Sequence, residues 1–179
     1  VPALRSDGHS VRTIGRGGAS DYRWDPAAGT IDATALDGVD SVVHLAGASI
    51  AVRWTGRTRR EIIDSRTLGT RLIASAFARS AASAANAASP RVLVSASAVG
   101  FYGDRGDALL DETSPAGEGF LADVVRQWES AAEPARAVGI RTVHPRAGIV
   151  LSPTGGALQR LLTPFRFGVG GRIGAGTQW

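Results

Sequence analysis

Apolar residues along the chain occur in two patterns, short β-branched runs and longer stretches with helical spacing. The short runs are typical of buried strands, which are apolar on both faces when helices cover both. They predict strands at residues 9–16, 22–24, 41–46, 91–96 and 140–150. Helical spacing predicts the end of a helix at residues 1–6 and further helices at 58–85, 120–138 and 156–167, with a kink expected at Pro134.

Strands that alternate with helices indicate parallel βαβ units. The sequence therefore predicts an α/β fold with a doubly wound parallel sheet. In such a sheet, ligands bind outside the carboxyl ends of the strands.

Hydroxyl side chains cluster just past the predicted strand at 91–96. Ser95 and Ser97 end that run, and Tyr102 follows within RVLVSASAVGFYG. One interpretation is a catalytic or ligand-binding cluster; the other is a capped strand end followed by a glycine turn. A tyrosine acid/base of the short-chain dehydrogenase kind needs a lysine four residues on to lower its pKa. Since the chain has no lysine, that version of the chemistry cannot be built here.

Two further strand ends carry candidates for dinucleotide binding. Arg16 follows the strand predicted at 9–16, where an arginine holds the 2′-phosphate of NADP and an acidic residue would select NAD. Leu45, Ala46 and Gly47 close the strand at 41–46, and small residues there allow adenine or ribose to lie against the backbone. A solvated surface charge and a tight turn are the simpler alternatives.

Glu61 and Arg66 form a third candidate, on the helix predicted at 58–85. Their separation of five residues places them on neighbouring faces rather than in an ideal ion pair. A solvated helix face explains both residues without a ligand.

The composition of the chain argues against nucleic-acid binding, a metal site and a membrane span. The chain has 179 residues, enough for one domain with a sizeable core. Its 20 basic residues are all arginine and the net charge is only +4, so nucleic-acid binding is not favoured. No cysteine is present, the three histidines lack metal-ligand spacing, and no run is long enough for a membrane span. We expect a cytoplasmic protein without a metal site.

Several motifs together resemble a known family. In chain order they are VDSVVHLAG, RWT, REIIDSR, LGTRLI, VSASAVGFYGD, DETSP, FLADVVRQWE, PRAGIVLS, LLTPFRFGVGG and RIGAGTQW. They are similar to the sugar-nucleotide epimerase-like (YfcH-type) branch of the atypical, extended short-chain dehydrogenases/reductases. The resemblance implies a Rossmann-type NADP-binding domain at residues 1–155 and the start of a smaller C-terminal substrate domain at 156–179. It also implies that the first strand and its glycine-rich pyrophosphate loop precede Val1 and that a C-terminal lobe follows Trp179.

The resemblance also implies residue roles. Gly15 and Arg16 match the adenosine-phosphate position, and Ser95 and Ser97 match the hydroxyl position beside the nicotinamide. The other matched positions are Leu45, Ala46 and Gly47 along adenine and ribose, Glu61 and Arg66 on a helix that reaches the cofactor, and Pro145 to Val150 at the nicotinamide amide. Where the superfamily carries Tyr-x-x-x-Lys, this chain has Leu121 and Val125.

The expected function is that of an NADP-binding protein, with NADP preferred to NAD. It would be an oxidoreductase or epimerase acting on a nucleotide-sugar-like small molecule, with Ser97 and Tyr102 as catalytic residues. The alternative is a non-catalytic NADP(H) sensor or interaction module. By analogy with the superfamily, a homodimer is also expected.

Overall fold

A computed structural model describes residues 1–81, 91–153, 155–172 and 174–176. The chain divides into two compact units, Val1–Arg146 and Ala147–Trp179. The assignment of residues 156–179 to a substrate domain stays a prediction.

The helices are α1 (Pro2–Ser6), α2 (Gly56–Ala81), α3 (Phe120–Ser130), α4 (Glu133–Arg136) and α5 (Gly156–Arg166), with a 3₁₀ turn at Val99–Tyr102. The strands are β1 (Ile14–Gly15), β2 (Tyr22–Asp25), β3 (Thr30–Ile31), β4 (Ser41–His44), β5 (Val92–Ser95), β6 (Ser97–Ala98), β7 (Arg141–Val143) and β8 (Arg146–Ala147). Four strands follow α1, and from β4 onwards helices separate the strands of the parallel sheet.

Parallel pairing dominates the sheets of the first unit. Strands β4, β5 and β7 form a parallel sheet in that order, with His44 opposite Ser95. A second sheet has the order β1–β2–β3, in which β1 and β2 are parallel. Helix α2 connects β4 to β5, and α3 and α4 connect β5 to β7. The predicted α/β class with parallel sheets is therefore confirmed.

Four details differ from the prediction. The strand predicted at residues 140–150 comprises the two short strands β7 and β8 and ends at Ala147. The strand at residues 9–16 is reduced to β1, because regular pairing with β2 covers only Ile14 and Gly15. Strand β3, which was not predicted, pairs antiparallel with β2. The helix at 120–138 is divided into α3 and α4, with Pro134 in the first turn of α4, where a missing N–H costs no helical bond. The predicted residues 82–85 of α2 lie outside the described residues.

Helix α2 packs its apolar face against the parallel sheet. Phe77, Ile73 and Ala74 are buried against Leu93 of β5 and Val42 of β4. Ala132, the N-cap of α4, and Ala135 within this helix close the same core, and their small side chains allow close approach. The core therefore fixes the carboxyl ends of β4, β5 and β7 relative to one another.

The second unit contains α5, with Pro164 inside the helix. Leu161 and Phe165 of this helix are exposed, whereas Leu158 and Leu162 are half-buried. Among the described residues, no helix is long and apolar enough to cross a membrane.

Candidate functional site

The carboxyl end of β5 is bonded to both neighbouring strands. The Ala96 amide donates to the His44 carbonyl (2.9 Å), and the Ser97 amide donates to the Pro145 carbonyl (3.0 Å). The 3₁₀ turn that follows ends at Gly103, whose φ of 65° is readily available only to glycine. This turn returns Tyr102 towards the strand end.

Four side chains meet past this strand end and are called here the strand-end network: Ser97, Tyr102, Glu129 and Arg146. The Ser97 hydroxyl donates to Glu129 Oε1 at 2.5 Å. Arg146 donates from Nε to Glu129 Oε1 (2.9 Å) and from Nη2 to Oε2 (3.0 Å), which is the bidentate geometry that suits a guanidinium. Arg146 Nη1 also donates to the Tyr102 hydroxyl (2.9 Å). The two predicted catalytic residues are therefore joined by an ion pair.

The network is shielded and charged. The side chains of Glu129 and Arg146 are 14% and 18% exposed, and Ser97 and Tyr102 are buried. Burial alone would raise the pKa of Glu129, but hydrogen bonds from Arg146 and Ser97 outweigh it and hold that pKa below its usual range. The bond to Glu129 raises the pKa of Arg146, whose guanidinium carbon also lies 3.4 Å from the centre of the Phe101 ring. Both groups are held in their charged forms.

Contacts from Arg105 and Gly117 hold the backbone of the 3₁₀ turn that carries Tyr102. Arg105 donates to the Tyr102 carbonyl at 3.0 Å. A Cβ at Gly117 would overlap that same carbonyl, so only glycine fits there. The Gly117 amide donates to the Phe101 carbonyl at 2.8 Å. These contacts hold the phenol oxygen of Tyr102 against Arg146.

Histidines lie on either side of Ser95. His144 Nε2 is 2.5 Å from Arg136 Nη2, which can only donate, so His144 Nδ1 carries the proton and donates to the Ser95 carbonyl (3.2 Å). On β4, burial lowers the pKa of His44 to about 4. Ser95 is fully buried, and among the described residues neither its hydroxyl nor His44 Nε2 has a hydrogen-bond partner. Ser95 therefore lies beneath the strand end, inside the core.

The carboxyl end of β4 is open. Leu45 is 72% exposed, and Ala46 and Gly47 are exposed as well. Arg66 covers one side of Gly47, because a Cβ at Gly47 would lie 3.2 Å from the guanidinium carbon. Burial lowers the pKa of Arg66, which stacks on Trp128 with 5.1 Å between guanidinium carbon and ring centre.

Glu61 and Arg66 are not joined. Glu61 is exposed, and Arg66 donates to the Ile62 carbonyl (3.1 Å). Within the described ranges, no ion pair links the two side chains. The structure thus brings Arg66 to Gly47 and leaves Glu61 in solvent.

Arg16 follows β1 and lines a depression of about 540 Å³ on the β1–β2–β3 sheet. Its other lining residues are Arg23, Trp24, Asp25, Thr30, Ile31 and Asp32. Gly15 lies against Ser20, whose hydroxyl occupies the space that a Cβ would need. The guanidinium groups of Arg16 and Arg23 are suited to a phosphate, whereas the carboxylates of Asp25 and Asp32 in the same lining oppose an anion.

Pro145 and Val150 belong to different units of the chain. Pro145 precedes Arg146 and accepts the amide hydrogen of Ser97. Val150 lies in the second unit and is exposed.

The sequence analysis did not identify Glu129 as a site residue, and it included Arg146 only within the range Pro145 to Val150 that the resemblance implies at the nicotinamide amide. Glu129 lies four and eight residues after Val125 and Leu121, which places all three on one face of α3. Arg146 directly follows the strand end that was expected to contact a ligand. Both signals were present in the sequence, but the pairing of two residues from different elements depends on the tertiary fold.

Comparison with known proteins places the chain among relatives of known sequence and structure. Residues 1–148 match the model of the NAD dependent epimerase/dehydratase family. An epimerase family protein of Mycobacterium bovis is 40% identical over 181 residues, covering 99% of this chain and 58% of that protein. The chloroplastic SDR39U1 homologue of Arabidopsis thaliana is 36% identical, covering 100% of this chain and 53% of that protein. The chain thus spans a little over half the length of these relatives.

Two solved structures resemble this chain closely. The nucleoside-diphosphate sugar epimerase of Corynebacterium glutamicum has a TM-score of 0.79 and 39% identity, covering 98% of this chain and 36% of that one. Human epimerase family protein SDR39U1, solved with NADPH, has a TM-score of 0.77 and 32% identity, covering 99% of this chain and 58% of that one.

Proposed function

Because the chain belongs to the NAD dependent epimerase/dehydratase family, we propose that the protein binds NADP and acts as an oxidoreductase or epimerase on a nucleotide-sugar-like small molecule. The observation that carries the proposal is the strand-end network, in which an ion pair holds Ser97 and Tyr102 at the carboxyl end of a central parallel strand. The similarity to a nucleoside-diphosphate sugar epimerase supports the substrate class.

The dinucleotide fits residues that are present. Arg16 and Arg23 would hold the 2′-phosphate of NADP, whereas the Ser20 hydroxyl fills the space beside Gly15. Leu45 and Gly47 would contact adenine and ribose at the open end of β4. Human SDR39U1, solved with NADPH, supports the same cofactor. When bound, a nicotinamide dinucleotide supplies reversible two-electron redox chemistry.

The residues of the network would position and protonate the ligand. Tyr102 accepts a hydrogen bond from Arg146, so its own proton is available to a ligand oxygen. Ser97 lies at the end of the same strand, and its amide is fixed by Pro145. With the carboxylate of Glu129 held by Arg146, both hydroxyls have fixed orientations, which is the condition for acid–base chemistry.

A non-catalytic NADP(H) sensor is the second candidate. The presence of Leu121 and Val125 at the positions of the family's tyrosine and lysine favours it. Turnover separates the two candidates. Full-length protein is mixed with NADP⁺ or NADPH and a panel of UDP- and GDP-sugars, and cofactor absorbance and sugar epimerisation are followed. If the protein is an enzyme, we expect cofactor-dependent turnover that Ser97→Ala abolishes. If it is a sensor, we expect NADP(H) binding without turnover.

Titration of full-length protein with NADPH and NADH tests the cofactor. We expect NADPH to bind at least about tenfold more tightly, because a hydrogen bond to a charged group contributes about 1.5 to 3 kcal/mol. Arg16→Ala should remove most of this preference. Arg141→Ala, at the opposite end of the parallel sheet, is the matched control and should keep it. Equal affinities, or a preference that survives Arg16→Ala, would contradict the assignment of the 2′-phosphate.

A further inference from the structure

We propose that Glu129 is the proton acceptor of the site and that it acts through Ser97, so that the ligand group at Ser97 is a hydroxyl that gives up its proton. This inference rests on the proposed function and deepens it. It makes Ser97 the group that touches the ligand and Glu129 a positioning residue behind it.

The position of Glu129 on α3 is the first support. Leu121, Val125 and Glu129 follow one another at intervals of four residues and so share a face of the helix. That face meets the strand end: a Cβ at Gly100 would lie 3.5 Å from the Leu121 side chain, and Glu129 bonds Ser97. Leu121 and Val125 cannot ionise. Glu129 is therefore the titratable group that this face of α3 presents to the site.

The direction of the hydrogen bonds is the second support. A carboxylate only accepts hydrogen bonds, and a serine hydroxyl has one proton to donate. The Ser97 hydroxyl donates its hydrogen bond to Glu129 Oε1, 2.5 Å away. Its oxygen is then left with acceptor capacity alone, so a ligand group beside it must be a donor. A sugar hydroxyl meets this requirement, and a carbonyl does not.

The ion pair keeps the acceptor ionised. Arg146 holds both carboxylate oxygens of Glu129, and its third bond goes to Tyr102. Burial works against the charge of Glu129, but the hydrogen bonds of Arg146 and Ser97 lower its pKa below the usual range. At neutral pH the network therefore contains a negative acceptor, a serine that points its proton at it, and a fixed positive charge.

The proton step balances without another reactant. The ligand O–H bond breaks as an O–H bond forms at Ser97, and the original Ser97 proton moves to Glu129 Oε1. Glu129 becomes a neutral acid, and the negative charge moves to the ligand oxygen. The reverse order returns the proton when the ligand oxygen takes it back.

This relay, in which a ligand proton passes to Ser97 and the Ser97 proton passes to Glu129, can be tested by turnover kinetics. The assay uses full-length protein, NADP⁺ and the sugar nucleotide that the panel identifies. Glu129→Gln should lower kcat by at least about 100-fold, the usual contribution of acid–base catalysis, while KM changes little. Ser97→Ala should cause a similar loss. Because the two residues act as one unit, the double variant should be no slower than the worse single variant. Glu133→Gln, an exposed residue one turn further along the chain, is the control and should keep wild-type kcat.

A readout independent of turnover follows the Glu129 carboxyl carbon by NMR as the pH is lowered. We expect the titration midpoint of the Glu129 carboxyl group to lie below the ordinary value for glutamate. The midpoint should be higher in Ser97→Ala, because this variant loses a hydrogen bond to the charged carboxylate. Glu129→Asp should restore part of the kcat that Glu129→Gln loses, because it returns an ionisable carboxyl group.

The outcomes are distinct. Full turnover in Glu129→Gln, or losses in the two single variants that multiply in the double variant, overturns the relay and leaves the proposed function intact. Loss in Glu129→Gln with activity retained in Ser97→Ala means that Glu129 meets the ligand directly, which also overturns the relay. A wild-type protein that binds NADPH but turns over no sugar nucleotide overturns the enzymatic function and the relay together.

Discussion

The carboxyl ends of β4 and β5 are neighbours in one parallel sheet, and they are built in opposite ways. Past β5, each of the four polar side chains of the strand-end network is bonded to another. Past β4, Leu45 is 72% exposed, and the glycine at 47 is covered on one side by Arg66. The first end is a preorganised polar cluster, whereas the second is an open apolar surface.

This difference indicates that the β5 end is suited to chemistry and the β4 end to ligand binding. A preorganised cluster with fixed charges is suited to chemistry, because its groups need no rearrangement when charge develops. An exposed apolar stretch beside a glycine is suited to contact with a flat ring, because burial of its surface is favourable. Changes at the β5 end should therefore alter stability and turnover, and changes at the β4 end should alter affinity.

Removal of the network carboxylate should have the largest effect on stability. Glu129→Ala leaves Arg146 charged and mostly buried without its partner, which costs about 3 kcal/mol in the free energy of unfolding. Glu133→Ala breaks only an exposed ion pair with Arg136 and should cost less than about 1 kcal/mol. Denaturant unfolding of full-length protein at pH 7 measures both, and equal losses would mean that the network does not stabilise the strand end.

Acid should destabilise the protein through His44. Because the folded pKa of about 4 lies below the usual 6.5, the unfolded chain binds more protons in this interval and stability falls as the pH drops from 6.5 towards 4. The expected loss between pH 7 and pH 5 is about 2 kcal/mol.

Denaturant unfolding at the two pH values measures this loss. His44→Leu should reduce it, with a remainder from His144, whose pKa burial also lowers. His9→Gln, at an exposed position, should keep the full dependence. An unchanged slope in His44→Leu would refute the assignment.

Ser97→Ala should have a smaller effect on stability than on turnover. It removes one hydrogen bond, worth about 1 kcal/mol, while Arg146 still holds both carboxylate oxygens of Glu129. Unfolding and kcat are measured on the same preparation. A loss of stability as large as that of Glu129→Ala would show that the serine serves the fold rather than the ligand.

Leu45→Ser at the β4 end should have the smallest effect on stability, within about 0.5 kcal/mol, because the side chain is already in solvent. We expect it to weaken NADPH binding several-fold, since the apolar contact with the adenosine side is lost. Calorimetric titration and unfolding check the two effects. Unchanged NADPH affinity would remove Leu45 from the binding surface.

The sequence predicted the fold better than the site. The β-branched run of β5 and the glycine turn after it were sufficient to place Ser97 and Tyr102 near one strand end, because both signals are local. The Glu129–Arg146 pair joins residues 17 positions apart on a helix and a strand, so no local pattern indicates it. Strand β3 has two residues and exists through its pairing with β2, which again is a tertiary property.

The central claim is that the dinucleotide binds at the carboxyl ends of the parallel strands, with its nicotinamide at the strand-end network. A crystal structure of the full-length protein grown with NADP⁺ tests this claim most directly. We predict the 2′-phosphate within hydrogen-bond distance, about 3 Å, of the guanidinium groups of Arg16 and Arg23, and the nicotinamide in contact with Ser97. A 2′-phosphate that touches neither arginine, or a nicotinamide away from Ser97 and Tyr102, would contradict it.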